Sequence, residues 1–350
     1  MNFCSDNITK VAPEIMAALL AANHSEAMPY GHDPVSQRLE ASFSELFETA
    51  VTVFPVATGS AANALALSVI TPPYGAVYCH AASHINTDEC GAPEFYTGGA
   101  KLIALPGAEG KLNATCLAGT LDKAGAGIVH HVQPAAVSLT QASEAGTVYP
   151  LEEIGKITRV AHAHGLAVHM DGARFANAVV SLGCTPAEMT WRAGVDVLSF
   201  GATKNGAMAA EAVVFFNSSL ARTFGYRRKR GGHLWSKMRF LAAQLEAYIA
   251  EELWLRNAVH ANQMARQLAV GLQSLPEATL CYPVEANEVF VILSETVVEG
   301  LLADGFQFYR WASGQGSTIR LVTAFDTQEA DVAAFLAAAR SHATVAATLN

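Results

Sequence analysis

The sequence predicts an α/β protein: a mainly parallel sheet between helices, followed by a smaller carboxyl-terminal α+β unit. Three observations carry this. Short apolar runs recur through the first two thirds of the 350 residues, separated by helical patterns or loops, and such runs belong to a sheet covered on both faces. From about 238 to 275 the pattern turns long and helical, then gives way to short strand-like segments and a terminal helix. Two apolar runs also lead into reactive side chains, Asp171 and Lys204, which stand 33 residues apart.

In chain order, residues 11–23 form an amphipathic helix with Val11, Ile15 and Leu19 on one face. A second helix covers 36–48 and carries Leu39, Phe43, Leu46 and Phe47. The runs VTVFPVA, AVYCH, KLIAL, GIVHHV, GLAVHM, VDVLSF and AVVFF then read as strands. The crossover helix after residue 149 is clearly punctuated. Pro150 suits a first turn, Ile154, Ile157, Val160 and Ala161 form its stripe, and Gly165 ends it. Past the long helix, EVFVILS and STIRLVTAF read as strands, and Val332, Phe335, Leu336 and Ala339 form one face of the last helix. The expected division is a large domain over 1–245 and a small one over 246–350.

About half the residues are apolar and only 15% are charged, enough for a sizeable core with surface left to bury between subunits. A formal charge of −9 excludes a nucleic-acid or anionic-membrane partner, which needs a basic face. One basic run, Arg227-Arg228-Lys229-Arg230, reads by itself as a solvated loop. Six scattered cysteines without a C-x-x-C pair fit reduced thiols. With no signal-like amino terminus and no apolar stretch of membrane-spanning length, the expected location is cytoplasmic.

Ligands of parallel α/β sheets bind at the carboxyl ends of strands, so the residues that follow strands come first. Thr58-Gly59-Ser60 precedes a helix, where small residues let backbone N–H groups approach an anion. The chain has no G-x-G-x-x-G and no G-x-x-x-x-G-K-[ST], which disfavours a dinucleotide or Mg-ATP site. His80, His84 and Glu89 follow the second run; their spacing within Gly- and Pro-containing sequence does not make a metal site, and none is predicted. His131, Thr140, Gln141 and Glu144 surround a further strand and loop. Asp171 with Arg174, and Thr203 with Lys204, complete the set. A lysine can form a Schiff base with pyridoxal phosphate, and an aspartate can keep that cofactor's pyridine nitrogen protonated.

The motifs SDN (5–7), YGHDP (30–34), TGSAAN (58–63), SHINTDECGAPEF (83–95), HMDGAR (169–174), SFGATKNG (199–206), RGGHLWSKMRF (230–240) and IRLVTAF (319–325) extend over nearly the whole chain. By them the sequence resembles the low-specificity L-threonine aldolases, a group of fold-type-I pyridoxal-phosphate enzymes. The resemblance implies a mainly parallel seven-stranded sheet and retro-aldol cleavage of L-threonine, L-allo-threonine and related β-hydroxy amino acids to glycine and an aldehyde. It implies that Lys204 carries the cofactor covalently, Asp171 pairs with its ring nitrogen and His84 stacks on the ring. Gly59, Ser60 and Thr203 would hold the phosphate, Arg174 would lie near the cofactor oxygen and the substrate carboxylate, and Ser5 and Arg320 would bind that carboxylate. Arg230 or Lys237 would reach the cofactor phosphate of a neighbouring subunit, in a homodimer at least and a tetramer built from two.

One departure stands out. The family's histidine in a T-H-N context, which contacts the substrate hydroxyl, is replaced here by SLTQASEAGTVY. Neither Gln141 nor Ser143 can act as a base in the same way. That leaves the acceptor of the hydroxyl proton open between a water held by His84 and another residue. The alternatives on the same cofactor are a β-eliminating lyase and a phenylserine-type aldolase; a nucleotide-binding α/β protein is the distant one.

Overall fold

The computed structural model describes residues 1–311 and 317–349. Its larger sheet has seven strands: β1 (Thr52–Val56), β2 (Gly75–His80), β3 (Lys101–Leu105), β4 (Gln133–Thr140), β5 (Ala167–Gly172), β6 (Val197–Gly201) and β7 (Glu211–Phe215). They are ordered β1-β7-β6-β5-β4-β2-β3. All neighbours are parallel except β7, which runs antiparallel to both β1 and β6. The predicted α/β class is therefore met. The carboxyl ends of β1, β2, β4, β5 and β6 and the start of β7 meet along one edge, and the segments of Gly59, His84, Glu144, Asp171 and Lys204 emerge there.

Two expectations along the chain need correction. GIVHHV is not a strand. Gly125 and Gly127 adopt φ of +72° and +81°, and Gln133 closes the loop by accepting from Gly127 N at 2.8 Å and donating to the carbonyls of Ile128 and His131. The strand starts only at Gln133, and the pairing of β2 with β4 shifts register next to Pro134, where a proline costs no ladder bond. The long helix is also two helices, Arg239–Ile249 and Leu253–Gln273. Glu251 and Glu252, at φ of +48° and +57°, reverse the turn between them. Each half is amphipathic by itself, so periodicity ran through the break.

A second, antiparallel sheet contains β8 (Thr279–Leu280), β9 (Glu288–Leu293), β10 (Tyr309–Arg310) and β11 (Ser317–Val322), in the order β10-β11-β9-β8. Its core takes Val332, Phe335, Leu336 and Ala339 from the last helix, the stripe read from the sequence. The same core takes Phe3, which the 1–245 division assigned to the large domain. Phe3 N donates to Gln307 O and Phe3 O accepts from Val322 N, both at 2.8 Å, so the first residues lace onto the second sheet. The Leu253–Gln273 helix serves both cores, with Leu253 and Trp254 in the first and Met264 and Leu268 in the second. Among the described residues no helix is long and apolar enough to cross a membrane.

Candidate active site

β1 delivers the chain to Thr58, which caps the Gly59–Ile70 helix by accepting from Ala61 N at 3.2 Å. The N–H groups of Gly59 and Ser60 find no acceptor among the described residues, as expected in a first helical turn. A Cβ on Gly59 would meet nothing within 4 Å, so this turn faces open space. Together with the helix dipole, this makes a cradle for an anion.

β5 ends at Asp171, whose carboxylate is fixed on both oxygens. Oδ1 accepts from Ala173 N at 2.9 Å and Oδ2 from Asn63 Nδ2 at 2.8 Å. Asn63 also donates to Glu89 Oε1 at 2.9 Å, and the same oxygen lies 2.9 Å from His84 Nδ1. A continuous relay thus joins Asp171 to His84. Burial pushes Glu89 above the usual carboxylate range against the hydrogen bonds from His84 and Asn63. His84 is raised in turn, chiefly by its hydrogen bond to Glu89, with burial opposing. Below Asp171 on the same strand, His169 lies between Ser138 Oγ and Ser199 Oγ, each at 2.9 Å, and burial holds its pKa down to about 4. That ring is a neutral brace.

β6 ends at Gly201, and Lys204 sits in the short turn Thr203–Asn205. Asn205 anchors the turn, donating to Tyr248 Oη at 2.7 Å and to Trp254 O at 2.8 Å. Gly206 follows at φ +115°, where a Cβ would lie 2.9 Å from Asn257 Nδ2 and 3.1 Å from Ala12. Lys204 Nζ makes no hydrogen bond or ion pair with any described residue. Thr203 Oγ1 accepts from Ala210 N at 3.2 Å. Glu211 Oε2 accepts from Ala202 N at 2.8 Å, and burial raises this carboxyl to about 7 against the pull of Thr203, Ala202 and Lys204.

Gly59, Ser60, His84, Asp171, Arg174, Thr203 and Lys204 all line one cavity of about 340 Å³. It shares Asn7, His84, Glu144, Arg174 and Lys204 with an outer cavity of about 800 Å³ that holds Ser5 and Arg320. Arg320 lies over the rings of Tyr309 and Trp311, at 5.4 and 5.2 Å, and its Nε is buried without a partner.

Arg174 is more committed than the sequence suggested. Its Nε and Nη2 donate to Asp6 at 2.7 and 3.0 Å, and Nη1 reaches Glu288 at 3.2 Å. Burial pushes Asp6 upward, but the charges of Arg174 and Lys204 and hydrogen bonds from Arg174 and Asn287 outweigh it and hold that carboxyl below its usual range. Arg174 therefore ties β5 to the amino-terminal segment and to β9.

Arg230 and Lys237 line neither cavity of their own subunit. The basic run is helical, not a loop, over Phe224–Arg230. Arg228 lies over the Phe54 ring and donates to Pro55 O at 3.1 Å, and burial lowers it to about 10. Sequence reasoning gave no role to Asn63, Asp6, Glu211 or Glu288. Only Asn63 had a readable signal, as a polar residue among the small ones of TGSAAN.

The family model of the β-eliminating lyases matches residues 2–296. This chain belongs to the β-eliminating lyase family. Within that family it is 44% identical over 330 residues to the low specificity L-threonine aldolase of Pseudomonas sp. (strain NCIMB 10558), covering 94% of each chain. It is 45% identical over 325 residues to the enzyme of the same name from Pseudomonas aeruginosa, covering 93% of each. Among solved structures, the Leishmania major threonine aldolase superposes with a TM-score of 0.91 at 28% identity, covering 98% of this chain and 99% of that one. This member of the β-eliminating lyase family thus has the fold its motifs implied.

Proposed function

We propose that the protein cleaves L-threonine, L-allo-threonine and related L-β-hydroxy-α-amino acids to glycine and an aldehyde, with pyridoxal phosphate as cofactor. The observation that carries this is the set of wall residues that two neighbouring cavities share. An amine without a partner among the described residues, a fixed carboxylate and an open helix amino terminus share the inner one, and the outer one holds Arg320, whose Nη2 donates to Cys4 O at 3.1 Å and whose Nη1 lies 3.8 Å from Glu288. These groups fit the cofactor. Gly59, Ser60 and Thr203 would hold its phosphate, Asp171 its ring nitrogen and Lys204 its aldehyde carbon, with His84 against the ring. Bound there, pyridoxal phosphate supplies the sink for the Cα–Cβ bonding pair.

The chain's own groups do the rest. Arg320, assisted by Ser5, would bind the substrate carboxylate through a charge-assisted fork and so orient the bond to be broken. Arg174, held by Asp6 and Glu288, keeps the wall between the cavities in place. Incubation with L-threonine should give acetaldehyde and glycine in equal amounts. Ammonia and a keto acid as sole products would make the protein a β-eliminating lyase instead, and a panel with L-allo-threonine and L-phenylserine separates the aldolase types. For Arg320→Ala, KM should rise about 10- to 100-fold, the cost of losing a hydrogen-bonded charge pair. An unchanged KM would move the carboxylate site elsewhere.

A homo-oligomer, a dimer at least, also belongs to this reading, with a cytoplasmic location. Tyr30, Phe95, Tyr226 and Trp235 are exposed around the basic helix, an arrangement suited to an interface. Arg230→Ala or Lys237→Ala should weaken cofactor retention about tenfold, the loss of one phosphate ion pair, and sedimentation should give at least a dimer. A monomer with full cofactor affinity would remove the interface.

A further inference from the structure

The loop after β4 lacks the histidine that family resemblance places there, and the structure assigns its work to another residue of the same loop. We propose that Glu144 is the base that takes the β-hydroxyl proton. This rests on the aldolase reading and deepens it.

The candidates named from sequence are already committed. Gln141 spends its amide on Tyr149, donating to its carbonyl at 3.0 Å and accepting from its N–H at 3.0 Å. Ser143 is buried against Thr147 Oγ1 at 2.7 Å. Asp171 and Glu89 are held by Asn63, and Glu288 by Arg174. Glu144 is the one carboxylate that lines both the inner cavity and the outer one.

Its geometry is that of an oriented base. Oε1 accepts from His84 N at 3.1 Å, and Oε2 has no partner among the described residues. The loop that carries it is fixed, since Thr147 Oγ1 donates to Glu109 O and Val148 N donates to Glu285 Oε2, both at 2.7 Å. Burial first, then the neighbouring charges of Asp171 and Glu288, raise Glu144 to about 7; Arg174 and His84 oppose them. Lys204, Glu89 and Glu211 also line the inner cavity. A carboxyl that titrates near neutrality suits a general base that must also give its proton back.

The step balances. Glu144 takes the hydroxyl proton, and the O–H pair becomes the second bond of the aldehyde carbonyl. The Cα–Cβ pair stays with the glycine half, which takes up one proton from solvent at Cα, and Glu144 returns the hydroxyl proton to solvent, so none is gained or lost overall.

The test uses the cofactor-loaded enzyme, with its visible absorbance verifying that each variant is folded and loaded. Glu144→Gln should lower kcat for L-threonine about a hundredfold or more, with KM within about threefold, and Glu144→Asp should restore part of the loss. Wild-type kcat should rise with pH through about 7, because the base works only when deprotonated, and Glu144→Gln should lose that limb. Infrared difference spectra between about pH 6 and pH 8 should record one carboxylic acid fewer losing its proton in Glu144→Gln than in the wild type, the signal of Glu211, which burial also raises to about 7, being common to both. If wild type releases no aldehyde, the aldolase reading itself fails. If wild type cleaves L-threonine and Glu144→Gln keeps its kcat and acid limb, or changes only KM, Glu144 is not the base. A limb abolished by His84→Asn and retained in Glu144→Gln would assign the proton to His84.

Discussion

Lys204→Ala should lose at least about a thousandfold in aldehyde release and the whole of the visible absorbance of a Schiff base, while unfolding, compared without cofactor, at about the same denaturant concentration as the wild type. The size of the first effect follows from chemistry, since no other amine lines the inner cavity. The absence of the second follows from packing. Lys204 Nζ makes no hydrogen bond or ion pair with any described residue, and its turn is held from beneath by Asn205 on Tyr248 and Trp254 and by Asn257 Nδ2 donating to Asn205 O at 2.8 Å. Truncation therefore removes a reactive group and no hydrogen bond or ion pair to a described residue. Retained absorbance and turnover in Lys204→Ala would overturn the assignment.

The second large effect is on stability. Arg174→Met should cost about 3–5 kcal/mol, because it takes the guanidinium from two buried carboxylates and leaves Asp6 with only the Asn287 amide at 3.0 Å and Glu288 with only Arg320 at 3.8 Å. The exposed pair of Arg38 with Glu246, bonded at 3.0 Å on both branches, is the internal comparison. Arg38→Met should cost less than about 1 kcal/mol. Denaturant titrations of the two variants measure the contrast, and equal costs would refute it. The buried pair also has a pH signature. Asp6 has its folded pKa below the ordinary 3.8, so its stabilisation is full above that value and lost as pH falls through the folded pKa. Glu288 is pushed up by burial, with Arg174 and Arg320 opposing, so in Arg174→Met it takes up a proton early. The gap between wild type and variant should therefore narrow as pH falls below about 5.

The strands were legible because each is an apolar run bounded by turns, and strand ends then pointed to Gly59, Asp171 and Lys204. The failures have a common physical cause. GIVHHV is as apolar as a strand, but two left-handed glycines and the Gln133 side chain make it a loop. Residues 238–275 keep helical periodicity across a break that two glutamates form by backbone angle alone. The site's supporting groups were hidden for another reason. Asp6 meets Arg174 across 168 residues and Asn63 meets Asp171 across 108, and nothing in a charge or amide announces so distant a partner. Glu144 was visible as a residue of its loop, but its isolation from other partners and its place between two cavities exist only in three dimensions.

The lacing of the first residues onto the second sheet sets an order of assembly. On the ribosome the groups from Gly59 to Lys204 emerge well before Glu288 and Arg320, and domains fold as they become complete. Phe3, made before any of these, has no sheet to dock on until β11 is synthesised, while Asp6 can already meet Arg174. A nascent chain thus completes the pocket for the cofactor before it closes the one for the substrate, and Phe3, though made early, is among the last residues to find its place.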